Sequence, residues 1–209
     1  MRIGVIATTA QKTAWLSKFG DREDTNFLPE NTIDLTDENA FDVIFHVAFD
    51  EKLVPIISTS LPVVANAVVN TLSDLPKNYS RINAWPGFLE RNQLELVNGN
   101  LHKKAIEELL SQMQCPYIEC PDIPGMITAR TISMIINEAY FAYGDNVSTM
   151  PDIDIAMKLG TNYPYGPFEW SRKIGIDHIY TLLKKLYDTD DRYEIAPALA
   201  SAAALFNNQ

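Results

Sequence analysis

Pro121-Asp122-Ile123-Pro124-Gly125 divides the chain into two textures. Its two prolines and its glycine stop any regular element that reaches it. Upstream, short apolar runs alternate with short helical stretches. Downstream, apolar residues recur at helical spacing. The alternation predicts a parallel α/β sheet before the divide and all-α structure after it, with domains at 1–120 and 121–209.

Upstream of the divide, Arg2-Ile3-Gly4-Val5-Ile6-Ala7 reads as a buried parallel strand, and Ala10 to Phe19 as a helix stopped by Gly20. The acidic stretch from Asp21 to Asn39 carries only Phe27-Leu28 and Ile33-Asp34-Leu35 as apolar islands, so little core is expected there. Further strands are predicted at Phe41 to Phe49, Leu61 to Ala65, Arg81 to Trp85, Leu94 to Val97 and Pro116 to Cys120. Asp50 to Ile57 reads as a short helix, and Val68 to Leu75 as a turn or short helix. Leu101 to Gln114 reads as an amphipathic helix presenting Leu101, Ala105, Leu109 and Met113 on one face.

Downstream, Thr128 to Tyr143 predicts a long helix with Ile132, Ile135, Ile136 and Ala139 inward. Thr149 or Ser148 caps the next, Pro151 to Leu159, with Gly160 as its stop. Pro164, Gly166 and Pro167 impose a fixed turn. Ile176 to Leu186 and Pro197 to Phe206 complete the helical set.

The composition is that of a globular protein: 209 residues, 46% hydrophobic and 21% charged. The formal charge is −10, and the acidity is spread evenly over both halves. Nucleic acid and anionic membrane reward a basic surface, so neither is an expected partner. The start of the chain carries no signal-peptide pattern, and no apolar run approaches a membrane span. A cytoplasmic location is expected. Cys115 and Cys120 have neither zinc-pair nor redox-pair spacing and read as reduced thiols, and no metal site is expected.

The turn after the first strand is where a dinucleotide-binding fold cradles pyrophosphate, using glycines that let backbone approach the phosphates. Here it reads Ala7-Thr8-Thr9, without glycine. A helix N-terminus still attracts an anion, so Ala7, Thr8 and Thr9 are the cofactor-binding candidates. The acid that would hold a ribose is restricted to Asp21, Glu30 or Asp34, none of them clearly at a strand end.

Asp122-Ile123-Pro124-Gly125, then Asn137-Glu138-Ala139, then Asp152-Ile153-Asp154 through Pro164-Tyr165-Gly166-Pro167-Phe168-Glu169-Trp170 occur in a specific order. Together they resemble the C-terminal domain of the 3-hydroxyacyl-CoA dehydrogenase family. The resemblance implies a reduced Rossmann-like domain followed by a helical dimerisation domain, and hence a homodimer. It implies NAD as cofactor and an acyl-CoA-type ligand. The implied reaction is NAD-dependent oxidation of 3-hydroxyacyl-CoA to 3-oxoacyl-CoA, in fatty-acid metabolism.

The resemblance also locates what is missing. It places the family's catalytic histidine on Pro86 and its glutamate partner on Asn98. The helix asparagine falls on Ala129, before Arg130, and the serine near Val69 or Asn70. The family's second and third strands and their helical hairpin are compressed into Asp21 to Asp34. Proline and alanine cannot take a proton from a hydroxyl. The expectation is a dehydrogenase-like protein with weak or lost activity; the alternative is a non-catalytic dimeric binding or scaffolding homologue. His46, at a strand end where the family has a glutamate near the nicotinamide, is the one candidate base and also a cofactor-binding candidate.

Overall fold

A computed structural model of the chain describes residues 1–35, 37–49, 51, 53 and 55–206. The chain divides into two compact units, Met1–Met126 and Ile127–Gln209.

The first unit is built on a seven-stranded sheet. Its strands are β1 (Ile3–Ile6), β2 (Thr25–Leu28), β3 (Val43–His46), β4 (Val63–Ala65), β5 (Tyr79–Ile82), β6 (Leu94–Val97) and β7 (Tyr117–Glu119). Their spatial order is β2-β1-β3-β4-β5-β6-β7. All neighbours are parallel except β5 and β6, which run antiparallel. That reversal departs from the expected parallel sheet at one step: residues 83–93, which join β5 to β6, form turns alone, too short for a helical crossover. β2 lies within the acidic segment expected to hold little core, and it forms the edge, where its residues are mostly half-buried. Helices α1 (Thr9–Phe19) and α2 (Lys103–Gln112) complete the unit.

The central strands are buried on both faces, as continuous apolar runs require. One face packs Val5, Val43, Phe45 and Val64 with Trp15 of α1 and Ile106, Leu109 and Leu110 of α2. The other packs Ile6, Ile44, Val63 and Ala65 with Phe49, Ile57 and Tyr79. Each buried aliphatic side chain contributes about 2 kcal/mol. Leu101, expected inward, precedes α2 and is exposed; Ile106 and Leu110 join Leu109 and Met113 instead. The short helix expected over Asp50 to Ile57 lies partly outside the described residues.

The second unit comprises α3 (Thr128–Gly144), α4 (Met150–Thr161), α5 (Pro167–Ile174), α6 (Ile176–Tyr187) and α7 (Pro197–Phe206). Thr149 caps α4 by accepting from Asp152 N. Gly160 does not stop this helix: α4 runs on to Thr161, and Asn162 takes the left-handed conformation at φ 54°. The sequence pattern predicts no helix where α5 lies, because Pro167 reads as a turn residue. It occupies the first helical position, where its missing N–H costs nothing.

Candidate functional site

The chain leaves β1 for β2 on one side and returns to β3 on the other, so the sheet has its switch point between β1 and β3. Open α/β sheets take ligands at the carboxyl ends of strands flanking such a point. Four short segments lie at that edge: 7–9 after β1, His46 and Val47 at the end of β3, Asn66 after β4, and Asn83 after β5.

The first segment is closed on itself. Thr8 Oγ1 accepts from Gln11 N at 3.3 Å, and Gln11 Oε1 accepts from Thr8 N at 2.9 Å, a reciprocal capping box. Gln11 Nε2 then reaches across to donate to Val47 O at 3.0 Å. Val47 N and Ala48 N both donate to Ile6 O. The switch point is therefore laced by the chain's own hydrogen bonds. Ala7 places a Cβ where a phosphate turn needs glycine, and the capping box takes up two of the N–H groups a pyrophosphate needs. These residues do not fit a dinucleotide pyrophosphate. Glu30 does stand two residues beyond the end of β2, exposed, where a ribose-binding acid belongs.

His46 does not face an open crevice. Its ring shares the face of Ile44, stacks edge-on to Phe49 at 5.5 Å and is fully buried. Neither ring nitrogen has a hydrogen-bond partner. Burial pushes its pKa down to about 4, so the imidazole is neutral at pH 7. A sealed imidazole cannot reach a substrate hydroxyl.

The remaining strand ends are stitched by amides. Asn66 Nδ2 donates to Val47 O at 3.3 Å, and its Oδ1 accepts from Ala84 N at 2.8 Å. Asn83 Nδ2 donates to Glu95 Oε2 at 3.2 Å, and both residues are buried. The antiparallel register pairs Arg81 with Val97 and Ile82 with Leu96, which sets Asn83 opposite Glu95 and Ser80 opposite Asn98. Pro86 and Asn98 are thus not neighbours. Pro86 is exposed, whereas Asn98 is buried and bonded to Ser80 Oγ and Lys103 O. Pro86, four residues beyond the end of β5, is not a register partner of Asn98.

Val69 and Asn70, expected near the serine position, lie on the loop after β4. Glu51 Oε1 accepts from Val68 N and Val69 N, and Oε2 accepts from Asn70 N. Beneath the loop the fully buried Arg81 donates to Ala67 O and Val68 O and pairs with Asp122. In the second unit Ala129 is fully buried and chemically mute, and Arg130 donates to Tyr193 Oη. Cys115 and Cys120 are free thiols, both buried, and burial raises both pKa values. Among the described residues no group of three or more His, Cys, Asp or Glu side chains is placed to hold a metal ion. None of their helices is long and apolar enough to cross a membrane.

Sequence reasoning missed Asn66, the Asn83–Glu95 pair and the Glu51–Arg81 cluster. A signal existed: Arg81 and Glu95 are charges inside otherwise apolar strands, and such charges are buried only when partnered.

Residues 125–206 match the family model for the 3-hydroxyacyl-CoA dehydrogenase C-terminal domain. The chain is 41% identical over 105 residues to a 3-hydroxyadipyl-CoA dehydrogenase of Escherichia coli, covering 49% of this chain and 22% of that one. It is 33% identical over 113 residues to a 3-hydroxybutyryl-CoA dehydrogenase of Clostridioides difficile, covering 51% and 40%. These alignments span less than half the length of the relatives. The crystal structure of (S)-3-hydroxybutyryl-CoA dehydrogenase from Ralstonia eutropha superposes with a TM-score of 0.68 at 18% identity, over 98% of this chain and 93% of that one, a likeness of fold. Residues 125–206 are thus similar to the 3-hydroxyacyl-CoA dehydrogenase C-terminal domain, and the mostly parallel Rossmann-like sheet followed by a helical region resembles the fold of these relatives.

Proposed function

We propose that this protein is a 3-hydroxyacyl-CoA dehydrogenase homologue in which NAD-dependent hydride transfer is weak or lost. The observation that carries the reading is the buried Asn83–Glu95 pair. It has the cross-strand placement that a histidine–glutamate pair needs, and the same sequence separation as Pro86 and Asn98. A general base must accept the proton of the substrate hydroxyl, and an amide does not. Glu95 would orient a base at this position, but the partner it holds is Asn83. The laced switch point adds support, since Thr8 and Gln11 occupy one another rather than a pyrophosphate.

The test is acetoacetyl-CoA reduction followed by NADH absorbance, alongside an NADH titration read by tryptophan fluorescence. Trp15 packs behind the first turn and Trp85 adjoins Ala84 at the end of β5, so bound nicotinamide would quench them. The expected result is no turnover above background and no saturable quenching up to millimolar NADH. Turnover at the rates typical of enzymes, on the order of 1–1000 per second, overturns the reading.

The accompanying expectations are a cytoplasmic location and a homodimer formed through the helical unit, holding an acyl-CoA-type ligand rather than transforming it. Ile155 and Leu159 of α4 and Leu205 and Phe206 of α7 are exposed, and a two-fold interface is the commonest way to bury such faces. Light scattering at working concentration is expected to give twice the monomer mass.

A further inference from the structure

The loop after β4 is arranged around an anion. Three consecutive backbone N–H groups, those of Val68, Val69 and Asn70, converge on the carboxylate of Glu51, the last two at 2.7 and 2.8 Å. With its amide nitrogen turned inward, Asn70 adds a fourth donor, Nδ2 to Glu51 Oε2 at 2.5 Å. An ionised carboxylate has about four acceptor positions, and here four donors meet them. Successive N–H groups forming one concavity are a recurrent anion-binding device.

The concavity is held in shape by its support rather than by its occupant. Arg81 is wholly buried below it, donating to Ala67 O and Val68 O on the loop and to Ile123 O. Asp122 pairs with Arg81 and also accepts from Leu72 N, tying down the far end of the loop. Gly125 N donates to Val68 O. None of these bonds involves Glu51. Glu51 belongs to no strand or helix, and Leu53, two residues on, is exposed. The donors lie at the carboxyl edge of the sheet, where ligands of open α/β sheets bind, and the acceptor comes from elsewhere in the chain.

We propose that residues 67–70 form a binding site for the carboxylate of a small-molecule ligand, and that Glu51 is an exchangeable internal stand-in for that carboxylate. The site is independent of hydride transfer and survives whether or not the protein proves to be a dehydrogenase.

Acetate is the probe, with chloride at equal ionic strength as the control. In Glu51→Ala the vacated donors are expected to bind acetate saturably, read as a rise in Tm and as shifts of the Val69 and Asn70 amide resonances. In the unaltered protein the same resonances are expected to move in the same direction but at about 10–100-fold higher acetate, because a tethered competitor acts at millimolar or greater effective concentration. Chloride is expected to move neither. Acetate binding by the variant with no response of the unaltered protein at about 100-fold higher concentration overturns exchangeability, and with it the proposal. So does a variant that responds to acetate and chloride alike. Should Glu51→Ala not fold, Glu51→Gln takes its place, since its NH2 faces a donor and yields to acetate. The titration of the unaltered protein stands on its own: shifts absent, or spread over surface amides instead of 68–70, overturn the proposal.

Discussion

Asn83 and Glu95 face one another across the antiparallel step between β5 and β6, the amide donating to the carboxylate at 3.2 Å in a buried setting. The Asn83 Oδ1 is used as well, accepting from Trp85 N at 3.3 Å. Removing the amide leaves a buried carboxylate short of a donor and a buried N–H short of an acceptor. Asn83→Ala is therefore expected to cost about 2–4 kcal/mol, as unmet buried polar groups do. Urea unfolding checks this; a loss within about 0.5 kcal/mol, the range of ordinary surface substitutions, would sink the idea that the pair is enclosed.

His46 and Glu51 act on stability in opposite directions as pH changes. His46 has its pKa lowered from 6.5 to about 4 by burial. Between these values the unfolded chain binds a proton that the folded one refuses, so stability falls as pH drops from 6.5 to 4, by about 3 kcal/mol. Glu51 has its pKa raised from 4.5 to about 7, burial outweighing the N–H groups of residues 68–70 and the charge of Arg81. There the folded chain takes up the proton first, so stability rises as pH drops from 7 to 4.5. The two trends offset one another over the shared window. His46→Leu is expected to leave a protein that gains stability on acidification from pH 7 to 4.5, and Glu51→Gln one that loses it from 6.5 to 4. At pH 7.5, His46→Leu is expected to match or exceed the parent, because it removes two buried nitrogens without partners. Thermal melts across pH check both slopes; parallel slopes in the two variants would refute the assignment.

The elements legible in the sequence were those whose pattern depends on burial alone. β1, β3 and β4 are continuous apolar runs, and α3, α6 and α7 carry apolar stripes at helical spacing. β2 was illegible because an edge strand buries little, and between Asp21 and Asn39 only Phe27-Leu28 and Ile33-Asp34-Leu35 are apolar islands. The antiparallel direction of β6 was illegible because Leu94 to Val97 reads the same either way; only the length of the connection from β5 betrays it. The polar residues of the site failed for a related reason. Asn66, Asn83 and Asn98 all follow or end apolar strands, and nothing local tells which stand opposite one another. Register decides that, and register is a property of the sheet.

Asp154 and Gly166 explain why an Asp-Ile-Asp helix precedes a Pro-x-Gly-Pro turn. Asp154 is buried in α4, its Oδ1 accepts from Phe168 N in the first turn of α5 at 2.7 Å, and its Oδ2 lies 3.6 Å from Arg172. A carboxylate at a helix N-terminus satisfies both an orphan donor and the helix dipole. A Cβ on Gly166 would stand 2.3 Å from Asp154 Oδ1 and 2.5 Å from its Cα. Gly166→Ala must therefore push α4 from α5 and is expected to cost about 3 kcal/mol or more. Asp154→Ala is expected to cost about 2 kcal/mol. Chemical denaturation checks both, and a Gly166→Ala protein as stable as its parent would show that the two helices are not in close contact.

Asn137 gives the Asn-Glu-Ala stretch of α3 a structural task in this chain. Its side chain is buried, with Nδ2 donating to Glu194 O at 2.8 Å and Oδ1 accepting from Ala196 N at 2.9 Å. One amide thus bonds two backbone groups of the connection that leads from α6 into α7, the carbonyl of Glu194 and the N–H of Ala196. Replacing it by leucine, close in volume but unable to bond, strands the buried N–H of Ala196 and frees the part-buried carbonyl of Glu194. The expected cost of Asn137→Leu is about 2–5 kcal/mol. Hydrogen exchange separates this from a general loss of stability. The amides of Ala196 and the first turn of α7 should lose protection first, while those of α3 stay protected. Uniform loss across the second unit would instead mean that Asn137 acts only as a packing residue.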